Sequence, residues 1–309
     1  MATLQDQKQP TKTETHGPSA TGIYVHVPFC ATRCDFCAFY EETPDRASID
    51  AYLMTLELEA ELAGPAFREV AAVPGPVTVF VGGGTPGVLK PEDLTRLGRC
   101  VRMLARGGIV EWTVEMAPST VTEGRLEALK GVGVTRISLG VQSFDPRMLE
   151  ALGRRQGIER IHKAWACVEA AAFSSTNIDL MFAYPGQTEE QWRKDLDAAI
   201  ALGPDHISTY CLTFEEDTAL WQKLREGRLR RDIAEEADRY AFTWDYLSAA
   251  GFAQYEVSNF ARPGHECRHN ANTWRMGHWL GLGPSAASQG PNWRFGNVAD
   301  NDKWRKCFG

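Results

Sequence analysis

No apolar run in the sequence approaches the ~18 residues of a membrane-spanning helix, so no membrane span is expected. Positive charge is in the minority: 33 Lys and Arg stand against 40 Asp and Glu, for a net charge of -7 over 309 residues. That balance excludes a broad basic face for duplex nucleic acid, and no nucleic-acid partner is expected. The N-terminus has no basic-then-apolar stretch of the signal-peptide kind. Residues 1–20 are polar, rich in Thr, Gln and Lys, and read as a disordered leader. No internal repeat is visible. What remains is a globular composition, 43% hydrophobic and 24% charged, which excludes disordered, collagen-like and coiled-coil architectures. There are eight cysteines. In a long, core-rich chain without secretory context they are not read as a disulfide framework. We place the protein in the cytoplasm, where clustered cysteines bind metal or do redox chemistry.

Strand and helix periods alternate along most of the chain. Strands are expected at Gly22–Phe29, Pro76–Val81, Glu111–Met116, Arg136–Val141, Asn177–Phe182 and His206–Leu212. Helices are expected at Ser48–Ala63, Pro91–Ala105, Glu123–Lys130, Ile158–Ala172, Glu189–Leu202, Ala219–Leu229 and Ile233–Ala250. Thr188 and Gln191 form a capping box, Pro91 suits a first helical turn, and Gly64, Gly107 and Gly251 stand where helices should stop. Six repeats of strand and helix imply a parallel sheet with right-handed crossovers. The period is satisfied equally by a doubly wound sheet and by a complete or partial barrel. After Gly251 the texture changes. Tyr255–Phe260 reads as a strand and the remainder, rich in Gly, Trp, Asn and His, as a small appended segment. The chain is divided into the leader 1–20, a core 21–250 and a C-terminal segment 251–309.

The sharpest motif is Cys30-Ala-Thr-Arg-Cys34-Asp-Phe-Cys37, placed directly after the first strand. Three thiolates within eight residues suit an iron–sulfur cluster, and they leave one iron open to a substrate or cofactor. A zinc site is the alternative, but it calls for a fourth Cys or His nearby, and none follows closely. Cys100, Cys167, Cys211, Cys267 and Cys307 are scattered and read as small buried hydrophobes.

Further motifs sit at strand ends: Gly82-Gly-Gly-Thr-Pro86, Glu115-Met-Ala-Pro118, Gly140-Val-Gln-Ser-Phe144 and Asp179 to Gln187. In a barrel-like sheet that edge is where ligands bind. Glycines let backbone approach a ligand and offer amide donors. Glu115 and Asp179 can accept hydrogen bonds from an ammonium or ribose hydroxyls, Gln142 can donate and accept, and Arg154 can pair with a carboxylate.

These residues in this order resemble the radical S-adenosylmethionine (SAM) superfamily, and within it the branch of oxygen-independent coproporphyrinogen III oxidase. The matching landmarks run from Tyr24 to about Phe308. The resemblance implies a partial (β/α)6 barrel with a short α+β C-terminal extension. It implies that Cys30, Cys34 and Cys37 hold a 4Fe–4S cluster, and that Tyr24, Phe36, Gly83, Gly84, Thr85, Glu115, Gln142, Arg154 and Asp179 contact SAM. The oxidases of this branch carry a fourth cysteine two residues after the third; Phe39 stands there in this chain. The branch also holds haem chaperones of the HemW group, which lack that cysteine and carry a His-Asn-x-x-Tyr-Trp motif. His269-Asn-Ala-Asn-Thr-Trp274 is similar to it, with Thr273 in place of the Tyr. Ala183-Tyr184 replaces the usual Gly-Leu before Pro185. Relatives continue past the point equivalent to Gly309, so the segment 251–309 is expected to be a truncated version of theirs.

That group implies haem or a porphyrin as ligand, recipient haem proteins and an electron donor as partners. His26, His265, His269 and His278 are the candidate axial ligands. The enzyme alternative is a coproporphyrinogen III oxidase, or another radical SAM enzyme acting on a porphyrin-like substrate.

Overall fold

The computed structural model describes residues 21–70, 76–105 and 108–308. The leader 1–20, and Gly107 as a helix stop, lie outside the described residues. The chain runs β1 (Thr21–Val27), α1 (Arg46–Val70), β2 (Val77–Gly83), α2 (Pro91–Leu104), β3 (Ile109–Met116), α3 (Glu123–Val132), β4 (Arg136–Gln142), α4 (Pro146–Ala151), α5 (Ile158–Ala171), β5 (Ser175–Phe182), α6 (Glu189–Ala201), β6 (His206–Cys211), α7 (Ala219–Arg225) and α8 (Ile233–Ala249). Then follow β7 (Ala253–Gln254), β8 (Asn259–Ala261), α9 (Arg268–Trp274), β9 (Trp279–Leu282), β10 (Ala287–Gln289), β11 (Arg294–Gly296) and α10 (Asn301–Lys306).

β1 to β6 lie side by side in chain order, each parallel to the next. A doubly wound sheet would reverse direction at a switch point. This sheet does not, and it stays open, with β11 at one edge and β7 at the other. The architecture is therefore a partial barrel. One face of the parallel sheet is apolar and covered by helices: Ile23, Val25 and Val27 on β1, Val79 and Val81 on β2, Ile137, Leu139 and Val141 on β4, Ile178 and Leu180 on β5. Each such side chain contributes about 1.5–3 kcal/mol on burial. The opposite face lines the lumen.

The segment after α8 completes both edges of this one sheet. β8 pairs antiparallel with β6, while β9 pairs parallel with β1 and carries the β10–β11 hairpin. Two carboxylates of the core hold it. Glu59 of α1 accepts from the Gly283 N–H at 2.6 Å, the Asn297 amide at 2.7 Å and the Trp304 indole at 3.3 Å. Glu111 of β3 accepts from the Arg268 and His269 N–H groups at 2.8 and 3.0 Å, so a strand side chain caps the first turn of α9.

Several expectations are corrected. Tyr255–Phe260 is not one strand. The Tyr255 N–H closes a turn on the Asn259 carbonyl, and β8 begins only at Asn259. Gly64 does not stop α1, which continues through Pro65 because Phe67, 4% exposed, anchors the last turns in the core. α7 ends at Arg225, ahead of Gly227, which takes φ +70°. α4, capped by Asp145, is too short to show a period. The Thr188–Gln191 capping box and the stop at Gly251, φ +86°, are as expected. Among the described residues no helix is long and apolar enough to cross a membrane.

Candidate functional site

The cysteine loop leaves β1 at the C-terminal mouth of the lumen. Its base is closed by two backbone hydrogen bonds, from Cys30 N–H to the Glu42 carbonyl (2.9 Å) and from Glu42 N–H to the Pro28 carbonyl (2.6 Å). Cys37 N–H donates to the Cys34 carbonyl at 3.2 Å, a turn that brings those two residues together. The middle of the loop is tied across the mouth. Asp35 N–H donates to the Leu152 carbonyl (3.1 Å), Leu220 N–H to the Asp35 carbonyl (3.0 Å), and the Asp35 carboxylate pairs with Lys223 at 2.7 Å. Gly153 takes φ +75°, and a Cβ there would stand 2.6 Å from the Asp35 carboxylate. Phe36 packs on Leu152, Leu212 and Leu220 beside Tyr184, so it braces the far wall of the mouth.

All three thiols are half-buried. Burial pushes each of them up, Cys30 to about 12 with a further contribution from Glu41. Loading a cluster therefore has to displace protons. The Thr85 hydroxyl lies 3.4 Å from the Cys30 sulfur, where it can donate once that sulfur is a thiolate. Among the described residues no three His, Cys, Asp or Glu side chains close round a single-ion site. A cubane takes one thiolate per iron at separate corners, so its ligands need not converge on a point. Three soft sulfurs on one braced loop fit such a group.

The glycine run after β2 is folded against this loop. Gly84 N–H donates to the Val27 carbonyl and Thr85 N–H to the Phe29 carbonyl, both at 2.8 Å. Glu115 faces the same run, where a Cβ on Gly82 would stand 2.6 Å from its carboxylate. The Gly84 and Thr85 amides are committed inside the protein, so at those two residues the run supplies close approach and not free donors. A Cβ on Gly84 would meet the Phe29 carbonyl oxygen at 2.7 Å, and one on Gly83 the His26 ring at 2.6 Å.

Inside the lumen, Tyr24 lies edge-on to His26, and its hydroxyl bonds the His26 Nδ1 at 3.1 Å. Glu115 and Asp179 are half-buried on β3 and β5. Burial pushes the Glu115 carboxyl up to about 8, Asp179 adding to the rise. Burial also raises Asp179, against the pull of Asn177, Ser208, Arg136 and Ser138. The ladder slips between Gly140 and Gln142, a bulge that turns Gln142 to φ +73°. A Cβ on Gly140 would lie 3.0 Å from the Gln142 amide nitrogen and 3.6 Å from the Arg154 guanidinium, so these three residues meet at the mouth. Arg154 also faces Cys34. The structure thus groups Tyr24, Gly83, Gly84, Thr85, Glu115, Gln142, Arg154 and Asp179 around the mouth and upper lumen, while Phe36 stands in its wall.

Sequence reasoning missed the polar layer below. Arg136, Ser138, Asn177, His206 and Ser208 all face the lumen and are at most 4% exposed. The signal was present: buried parallel strands should be continuously apolar, yet polar residues recur at every second position of β4, β5 and β6.

The histidines divide. His26 is withdrawn from axial ligation, its Nε2 bonded to the Tyr40 carbonyl at 3.0 Å and its Nδ1 to Tyr24. His269 is withdrawn as well. It is 6% exposed, bonded through Nδ1 to Thr78 at 3.2 Å and set against Phe80; burial pushes it down to about 4. His265, beside Asp205, and His278 are half-exposed and remain. Trp274 is exposed and so does not line an interior slot. Cys307 is exposed too, against the expectation of burial.

Residues 24–199 match the model of the radical SAM superfamily. The chain is 41% identical over 272 residues to a protein named heme chaperone HemW from Mycobacterium tuberculosis, covering 86% of this chain and 68% of that one. It is 35% identical to the HemW of Escherichia coli, covering 85% of this chain and 68% of that protein. Among solved structures it is similar to the coproporphyrinogen III oxidase HemN of Escherichia coli, described as a radical SAM enzyme. The TM-score is 0.78 at 26% identity, covering 93% of this chain and 69% of that one. The chain thus spans about two thirds of the relatives it matches.

Proposed function

The chain belongs to the radical SAM superfamily and within it to the HemW family, and on that premise we propose that it is a cytoplasmic haem chaperone. It binds a 4Fe–4S cluster and SAM, takes up haem and delivers it to recipient haem proteins. The observation that carries this reading is the 41% identity to a HemW over 86% of the chain. Phe39, 66% exposed where the oxidases place a fourth cysteine, agrees with it.

Cys30, Cys34 and Cys37 hold the cluster, the three soft ligands leaving one iron open. When bound and reduced by an electron donor, the cluster supplies one electron and an open coordination position to SAM. The chain's own residues do the rest. Glu115 and Asp179 accept hydrogen bonds from the cofactor's ammonium and ribose hydroxyls. Arg154 pairs with its carboxylate, and Gln142 donates or accepts beside it. Tyr24, Gly83, Gly84 and Thr85 shape the floor of the pocket, and Phe36 braces the loop above it. On this reading residues 21–250 form the cofactor core, and 251–309 form the haem-handling segment. Haem takes its axial ligand from His265 or His278.

The test is haem titration of the anaerobically reconstituted protein, followed by absorbance, with His265→Ala and His278→Ala variants. A parallel assay supplies dithionite, SAM and coproporphyrinogen III. Haem binding that one of the two variants weakens, with no protoporphyrinogen formed, is the expected result. Protoporphyrinogen formation, or failure of the wild type to bind haem, overturns the proposal.

A further inference from the structure

A chain of hydrogen bonds crosses the barrel wall from α9 to the mouth. The Cys267 backbone N–H donates to the Tyr255 hydroxyl at 3.2 Å. Tyr255 lies 2.9 Å from His206 Nε2, His206 Nδ1 lies 2.6 Å from Asn177 Oδ1, and Asn177 Nδ2 lies 2.7 Å from an Asp179 oxygen. The Asp179 end sets the direction. A carboxylate only accepts, so Asn177 turns its NH2 toward it and its Oδ1 toward His206. The ring therefore carries its proton on Nδ1 to donate to that oxygen, and the neutral ring's Nε2 accepts from the Tyr255 hydroxyl. The Ser208 hydroxyl donates to the same oxygen at 3.2 Å. The Asn177 amide is thereby locked with its NH2 toward Asp179, and it meets the Ser138 hydroxyl at 2.6 Å on the way. Ser138 in turn donates to the other Asp179 oxygen at 3.1 Å. His206 is fully buried and Asn177 is 1% exposed, so no solvent competes for these links.

We propose that His206 is a positioning residue for Asp179: acting through Asn177, it holds that carboxylate with its remaining lone pairs toward the mouth, where they accept the ribose hydroxyls of SAM. This rests on the reading of Asp179 as part of the SAM site. Without the Nδ1 donor, the Asn177 amide is free to turn its oxygen toward Asp179, two acceptors face each other, and the carboxylate swings away.

Equilibrium binding to the reconstituted protein tests this with three probes: SAM, 5′-deoxyadenosine, which keeps the ribose, and methionine, which lacks it. Loss of one hydrogen bond to a charged group is worth roughly tenfold in affinity. His206→Leu is expected to weaken SAM and 5′-deoxyadenosine about tenfold and to leave methionine within about twofold. His206→Asn, whose amide can still donate to Asn177, is expected to recover most of the loss. Equal weakening of all three probes by His206→Leu would mean a merely structural role and overturns the proposal, as does unchanged SAM affinity. If His206→Leu does not fold, Tyr255→Phe decides, because it removes the donor that holds the ring tautomer: the ratio of 5′-deoxyadenosine to methionine affinity is expected to fall, and a ratio equal to that of the wild type overturns the proposal. Wild-type protein that binds none of the probes overturns the SAM reading itself, and the positioning role with it.

Discussion

Glu59 on α1 accepts the backbone N–H of Gly283, 224 positions further along the chain, at 2.6 Å. The same carboxylate takes the Asn297 amide and the Trp304 indole. One buried side chain therefore fastens β9, the turn after β11 and α10 to the barrel. Its burial raises its own pKa, and the three donors only partly offset the rise.

Glu59→Ala leaves buried donors without an acceptor. The cost is expected to be about 3 kcal/mol, since each unsatisfied group is worth about 1–3 kcal/mol and the effects do not add fully. Glu59→Gln keeps one acceptor oxygen and is expected to lose roughly half as much. Urea unfolding measures both, and an unchanged midpoint for Glu59→Ala would refute the fastening role.

Stability of the cofactor-free protein is expected to fall between about pH 6.5 and 8. Glu115 is raised from 4.5 to about 8 in the folded state. Its contribution is complete below 4.5 and is lost as pH rises through 8. His269 works the other way: lowered to about 4, it costs stability as pH falls from 6.5 through 4. Above 6.5 only the Glu115 slope remains of the two. Glu115→Gln should flatten the pH profile of the urea midpoint in that window; a parallel profile would contradict the shift.

Replacing any one of Cys30, Cys34 and Cys37 by Ala is expected to reduce reconstituted iron and sulfide to background. Cys307→Ala, at an exposed site, should load as fully as the wild type. Iron and acid-labile sulfide analysis decides, and full loading of a Cys34→Ala variant would remove the triad from the ligand set.

Ala183 holds φ +63°, a region that penalises a Cβ, at the position where the family pattern has Gly. Its N–H is tied to the Gln187 side chain at 2.8 Å, which keeps the loop in that shape. Ala183→Gly is expected to stabilise by up to about 1 kcal/mol, the relieved strain exceeding the entropy that glycine loses on folding. Thermal unfolding with a lowered midpoint would show that the loop carries no such strain.

The local features of the fold were legible because their causes lie within a few residues. The Cys-x3-Cys-x2-Cys spacing, the alternation of strands and helices, and the Thr188–Gln191 cap each need only a short window. Glu115, Gln142 and Asp179 stood out in motifs at strand ends and Arg154 in the Leu152-Gly-Arg154 turn, their common role came from the family resemblance, and the structure does gather them at one mouth. Position along a strand did not reveal that the amides of Gly84 and Thr85 are already bonded, or that His269 lies under β1 and β2 and not on a haem-accessible surface.

Chain-local chemistry therefore singled out the three cysteines proposed to bind a cluster and placed the six parallel strands. Pairing across the whole molecule settled the rest. Strand order turned a period compatible with two architectures into an open barrel. The segment after Gly251 was divided between both edges of the sheet, held by Glu59 and Glu111. Strand register stacked Asp179, Asn177 and His206 into one directed network. Such contacts join residues up to 261 positions apart. No periodicity reports them, because each depends on which strands become neighbours and on which face of each strand the lumen then receives.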